Sequence, residues 1–264
     1  MKEDLLALLR RTPPERVANV AREWLQAAVL ESLERSGAMA TLAFHGGTAL
    51  RFLYAMRRFS EDLDFSVHAG HAGPTVDLAP WLERVKRDLW HEGIAVRIGL
   101  ARRARTHEAR LDFRALAEEV ELNALSVKLE ASLDPPRGAG VAVSVCRLHR
   151  LIRVRHHDPA TLLAGKLHAI LQRHYTKGRD YFDLVWYLGD RKWPEPNLDF
   201  LNSALRQTGR KHADLTPGTW RPVVRERLAR VDWKAARADV MPFLEEPRDA
   251  ELLTLDTLTN LLER

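Results

Sequence analysis

A chain of 264 residues, with 41 Lys and Arg against 36 Asp and Glu and a net charge of +5, is long enough to bury a sizeable core without covalent staples. The single cysteine, Cys146, excludes an internal disulfide, and the lack of any Cys/His cluster excludes a thiolate zinc site. A reducing, cytoplasmic setting and an oxygen-ligated metal are the expectation, and the mild, well-mixed charge does not by itself demand a polyanionic partner.

The opening stretch MKEDLLALLRRTPPERV breaks its apolar run with charges within a few residues, so neither a signal peptide nor a membrane span is expected. Residues 14–36 read as a helix, with Val17, Val20, Trp24, Ala27, Ala28 and Leu33 at helical spacing and Gly37 to end it. The short apolar run ATLAF before Gly46-Gly47 suits a buried strand, and Thr48–Arg57 a helix with Leu50, Leu53 and Tyr54 inward. EDLDFSV then alternates strictly: Leu63, Phe65 and Val67 on one face, Asp62, Asp64 and Ser66 on the other. GHAGP reads as a loop, 78–92 as a helix, and IAVRIGL and LSVKLEASL as strands. DPPRGAG marks a turn, with VAVSV as the return strand of a hairpin. Past Pro159 strand signals cease, and helices fit 159–175, 179–189, 197–208, 219–230, 233–245 and 249–263. The expected class is α+β: a mixed sheet flanked by helices over 1–157, then an all-helical domain over 158–264 that contributes to the active-site cleft.

The chemistry concentrates around FHGGTALRFLYAMRRFSEDLDFSV. Residues two apart on a strand point the same way, roughly 7 Å apart, so Asp62 and Asp64 can converge on one site above the sheet. Bare carboxylates at that separation repel, and a divalent cation between them makes the arrangement favourable; Mg²⁺ is commonly held by one or two carboxylates plus waters and phosphates. The plain alternative is an ordinary exposed strand face. Gly46, Gly47 and Thr48, lying between strand and helix, offer backbone N–H groups suited to phosphate oxygens, and Thr48 serves as N-cap or as a phosphate donor. On the helix at 159–175, Lys166 falls inside the apolar arc of Leu162, Leu163, Leu167, Ile170 and Leu171. Its ammonium either snorkels to the rim or meets a triphosphate. Two basic runs, Arg97, Arg102, Arg103, Arg105, Arg110 and Arg114, then Arg147, Arg150, Arg153 and Arg155, are either solvated faces or nucleic-acid contacts.

HGGTALRFLYAMRRFSEDLDF resembles the signature of the nucleotidyltransferase-like AbiEii/AbiGii toxin family, a branch of the DNA polymerase β-type nucleotidyltransferase superfamily. The matching elements are the GG-S/T turn, the spacer, and R-x-S-x-D-x-D, carried by Arg58, Ser60, Asp62 and Asp64. A second similar block is LLAGKLHAILQRHYTKGRDYFDLVWYL, with Lys166, Arg179-Asp180 and Asp183. The resemblance implies a site role for Asp183, whose plain alternative is a pairing with Arg179 or Arg173, while Asp180 suits a cap. It also implies a third carboxylate on a neighbouring strand. Glu130 occupies such a position, as metal ligand, as general base, or as a partner of Lys128.

The resemblance further implies transfer of a nucleotide from NTP to an acceptor, in several relatives the 3′ end of tRNA, with pyrophosphate released, and a cognate antitoxin encoded nearby. Asp62, Asp64 and Glu130 would hold Mg²⁺; Gly46, Gly47, Thr48 and Lys166 would hold the phosphates; Arg58 would brace the aspartate strand or touch phosphate. Ser60, two residues before Asp62, is either a strand-edge hydroxyl or a site whose phosphorylation would block the nucleotide. Transfer to a small molecule or a protein hydroxyl, or a catalytically silent binding module on the same fold, are the alternatives.

Overall fold

The computed structural model describes residues 2–68, 76–209 and 214–263; the expected GHAGP loop lies outside them. The chain forms two compact units. The first comprises Met1–Ala55, Phe59–Pro135 and Val143–His156, and the second Met56–Arg58, Pro136–Ala142 and His157–Arg264.

The first unit is built on a seven-stranded mixed sheet. Its strands are β1 (Leu42–His45), β2 (Asp62–Val67), β3 (Arg97–Arg102), β4 (Thr106–Asp112), β5 (Ser126–Ser132), β6 (Val141–Cys146) and β7 (Ile152–His157), in the order β3-β4-β5-β2-β1-β7-β6. β2 runs antiparallel to β1 and parallel to β5. One face is apolar because the alternation places Leu63, Phe65, Val127, Leu129, Ala109 and Leu111 on it, all buried. The helices of this unit are α1 (Lys2–Leu9), α2 (Val17–Arg35), α3 (Gly46–Tyr54), α4 (Ala79–His91) and α5 (Arg114–Glu119). α2 packs on α4 and β5, and α3 on β1 and β2. Three polar side chains of α2 are buried with partners: Gln26 donates to the Ser60 carbonyl at 3.1 Å, Ser32 donates to Asp88 at 2.7 Å, and Glu23 receives Arg51 and His149 at 2.5 and 2.9 Å.

The second unit is helical: α6 (Pro159–Gln172), α7 (Gly178–Gly189), α8 (Leu198–Gln207), α9 (Trp220–Leu228), α10 (Trp233–Val240) and α11 (Leu255–Leu262). α6 packs against α7, α8 and α9, and α7 against α10 and α11. Asp158 caps α6 by accepting from the Thr161 N–H at 2.8 Å, and Asn197 caps α8 through the Phe200 N–H at 3.1 Å.

Several expectations need correction. β5 and β6 do not form a hairpin: β5 already has β4 on one side and β2 on the other, and β6 lies at the opposite edge. β4, β7 and the short α5 were not anticipated. α3 begins at the diglycine rather than at Thr48 and closes at Ala55, whose φ of 54° ends the helix. The helix expected over 233–245 tightens into a 3₁₀ turn at Met241–Phe243, around Pro242. The one expected over 249–263 restarts at Thr254, whose hydroxyl accepts from the Thr257 N–H at 3.0 Å.

Candidate active site

In the first unit, the polar face of the sheet gathers the acidic residues in one row. Register pairs Asp64 with Glu130 on one side and with His45 on the other, and Asp62 with Lys128. Glu108 and Arg110 of β4 extend the rows beyond β5. Asp62 and Asp64 are half-buried, one residue apart from the core-facing Leu63. α3 starts directly after His45, so its N-terminal turn lies beside the Asp64 carboxylate. Gly46, at φ +78°, has no room for a side chain: an added Cβ would lie 2.2 Å from Asp64 Oδ2. The glycine therefore lets the carboxylate lie against the backbone at the positive end of the helix. Thr48 is fully buried and its hydroxyl donates to the Asp62 carbonyl, which ties α3 to the start of β2. The N-cap position is His45, not Thr48. Thr48 is thus spent on positioning the aspartate strand, which the cap and phosphate readings of its hydroxyl did not foresee.

Of the three roles left open for Glu130, the structure displays the third: its carboxylate receives Lys128 at 2.8 Å. That bond, ahead of the cost of burial, holds the Lys128 ammonium above the usual lysine range, with Glu108 at 3.8 Å adding to it. Among the described residues no group of three or more His, Cys, Asp or Glu is arranged to hold a metal ion. Asp62 and Asp64, both hard oxygen donors on one face beside a glycine turn, still fit the sparse protein shell that Mg²⁺ takes when phosphates and waters complete it. Ser60 precedes β2 rather than lying in it. His45, the cross-strand neighbour of Asp64, is a member of this row that the sequence reading passed over.

The other expected site residues meet in the second unit. Arg58 Nε and Nη2 donate to the two Asp183 oxygens, each at 2.6 Å, with 2% and 0% of the side chains exposed. Lys166 reaches Asp183 at 2.7 Å and Asp180 at 3.1 Å, and Arg173 reaches Asp180 at 3.1 Å. Burial disfavours the charged Lys166, but Asp183 and Asp180 outweigh it and hold the ammonium above its ordinary range. Lys166 therefore neither snorkels nor stands clear. Asp183 pairs with Arg58 and Lys166 instead of Arg179 or Arg173, and Asp180 is an ion-pair member rather than a cap.

The basic runs divide. Arg97, Arg102, Arg103, Arg105, Arg110 and Arg114 each pair with a nearby carboxylate on the surface. Arg150 is a structural residue: Glu31 and Glu92 hold its guanidinium, which lies 4.6 Å from the Trp24 ring centroid. Arg155 donates to the Ala40 carbonyl, while Arg147 and Arg153 are exposed.

No curated protein sequence matches the chain. Among solved structures, a candidate nucleotidyltransferase of Helicobacter pylori is similar at a TM-score of 0.50 and 22% identity, covering 91% of this chain and 96% of that one. JHP933 of Helicobacter pylori is similar at a TM-score of 0.48 and 20% identity, covering 92% and 94%. At 22% identity the first of these speaks to the fold alone. The family model described as nucleotidyl transferase AbiEii toxin, type IV toxin–antitoxin system, matches residues 28–255. That span takes in the diglycine turn, the aspartate strand and the charged helices of the second unit, and this chain belongs to the AbiEii nucleotidyltransferase toxin family.

Proposed function

We propose that the chain moves a nucleoside monophosphate from an NTP to an RNA acceptor, the 3′ end of tRNA, in the cytoplasm, under the control of an antitoxin encoded nearby. The observation that carries the reading is the placement of Asp62 and Asp64 on one sheet face, with Asp64 seated against the Gly46 turn. The acceptor hydroxyl gives up its proton to water, its oxygen forms a bond to the α-phosphorus as the bond to the β-bridging oxygen breaks, and pyrophosphate leaves with that oxygen. Mg²⁺, when bound by Asp62 and Asp64, supplies neutralisation of the phosphate charge. The chain's own residues supply position. Thr48 fixes the height of Asp62 through its carbonyl, the Gly46-Gly47 backbone admits phosphate closely, and the Lys128–Glu130 pair bounds the acidic row. Arg147 and Arg153, exposed on the first unit, suit phosphate contacts to RNA. Among the described residues no helix is long and apolar enough to cross a membrane.

The test is incubation of the purified protein with each labelled NTP, Mg²⁺ and total tRNA. Label on tRNA is the expected result, and Asp62→Asn should lower it about a hundredfold or more with the fold unchanged. Label on another acceptor moves the reading to a small molecule or protein hydroxyl; no label with any NTP overturns it.

A further inference from the structure

The site face of the sheet continues past the acidic row. Register carries the row of Asp62 across Lys128 and Arg110 to Gly99, and the row of Asp64 across Glu130 and Glu108 to Ala101. At these two places on β3 the side chain shrinks to a hydrogen and a methyl group. A Cβ built on Gly99 meets no atom within 4 Å, so the space above the strand is open. The result is a cavity of about 460 Å³ whose lining includes Gly99, Ala101, Glu108, Arg110, Ser126 and Lys128, all from the first unit. Its volume lies in the range of small-ligand pockets, about 300–1,000 Å³.

Charge and strand order say what fits it. Lys128 donates to Glu130 at 2.8 Å and has Glu108 at 3.8 Å, and Arg110 Nε donates to Asp112 at 2.8 Å. Cations and carboxylates therefore alternate along the wall, and a phosphate would meet repulsion as well as attraction. A neutral planar ring that both donates and accepts is matched instead: Glu108 offers an acceptor and the guanidinium fork of Arg110 offers donors. In-line displacement needs the attacking and leaving oxygens on opposite sides of the α-phosphorus. In the order β3-β4-β5-β2-β1, the diglycine turn that would admit the leaving phosphates follows β1, on one side of the aspartate strand, and the cavity lies on the other. At about 4.8 Å per strand, Lys128, Arg110 and Gly99 lie about 5, 10 and 14 Å across the sheet from Asp62. An acceptor nucleoside whose hydroxyl reaches the aspartates has its sugar over β5 and its base over β4 and β3.

We propose that this cavity seats the terminal nucleoside of the RNA acceptor, with its base lying flat on Gly99 and Ala101. The identity of the acceptor rests on the nucleotidyl-transfer reading above; the seat rests on the cavity and its place beside the aspartate strand.

Fluorescence anisotropy of the full chain with a labelled short RNA tests it, the RNA being intact or lacking its 3′-terminal base with the terminal sugar kept. Loss of the base should weaken binding to the wild type about tenfold, the worth of burying one ring. Gly99→Leu and Ala101→Leu fill the cavity from exposed strand positions, so they should melt close to the wild type. Each should weaken the intact RNA about tenfold and the base-less RNA no further. Arg110→Ala removes donors from the wall without touching the core; it should weaken the intact RNA and leave the base-less RNA as it is. Intact-RNA affinity unchanged in these variants overturns the proposal. So do losses that multiply when variant and base-less RNA are combined, or a wild type that fails to distinguish the two RNAs. The labelled-NTP assay separates this from the parent reading. Base-dependent binding that Gly99→Leu abolishes, without transfer from any NTP, sinks only nucleotidyl transfer; transfer with an unchanged KM for tRNA in Gly99→Leu sinks only the seat.

Discussion

Arg58 and Asp183 form a fork-to-fork ion pair, two hydrogen bonds of 2.6 Å, in a part of the second unit closed to solvent. Removing Asp183 takes from Arg58 and Lys166 the buried carboxylate they share, and removing Arg58 leaves Asp183 with Lys166 in place of two cations. Asp183→Ala and Arg58→Met should each cost about 3–5 kcal/mol of unfolding free energy, read from denaturant titrations. Loss below about 1 kcal/mol would mean that the pair is dispensable to the fold. A fall in activity in Asp183 variants has to be read against this loss before it is assigned to the reaction.

Asp180 gives the unit a pH dependence. Burial pushes its carboxyl up, but Lys166 and Arg173 prevail and hold it below the ordinary value of 3.8. The unfolded chain therefore binds the proton first, and stability from this group is complete above 3.8 and lost as pH falls through the lower native value. Chemical denaturation between pH 5 and 2, about the span over which a carboxylate titrates, should show a shallower decline in Asp180→Asn than in the wild type. Parallel declines would remove the assignment.

Gly46→Ala meets two obstacles at once: φ of +78°, and a Cβ position 2.2 Å from Asp64 Oδ2. Backbone strain alone costs about 1 kcal/mol or more. The larger effect should be on nucleotidyl transfer, since the Asp64 carboxylate must move. Melting temperature and labelled-NTP transfer measured together should show activity falling much further than stability, and wild-type activity in this variant would contradict the placement of Asp64.

The arginines of the second basic run should separate by assay. Arg150→Ala strips Glu31 and Glu92 of their shared partner and exposes the Trp24 face, so it should lower stability by about 2 kcal/mol or more. Arg147→Ala and Arg153→Ala should leave stability within about 0.5 kcal/mol and instead reduce the slope of log RNA affinity against log salt by about one each. Equal slopes in all three variants would take RNA away from this surface.

What could be read in advance followed the range of the interactions. The glycine turn, α3 and β2 are specified within some twenty neighbouring residues, and strict alternation over DLDFSV announces a half-buried strand. β4 was missed because its inward residues are His107, Ala109 and Leu111, too weak an apolar contrast to stand out, although all are buried. β7 hid inside a basic run: Ile152, Val154 and His156 point inward while Arg153 and Arg155 catch the eye. The false hairpin arose because a turn signal says where the chain bends, not which strand edges are already occupied. The second unit's charge pairs were illegible for the same reason of distance. Nothing near Lys166 or Asp183 in sequence announces Arg58.

That distance matters during synthesis. Arg58 and Asp183 lie 125 positions apart, so a nascent chain carries its buried cation long before the ribosome has made the anion that permits burial. The aspartate strand can emerge and pair with β1 early, whereas the segment Met56–Arg58 cannot settle until α7 has left the exit tunnel. Truncated translation products of this toxin should accordingly be left open to proteolysis at that segment, a built-in delay between starting to make the protein and having one that is armed.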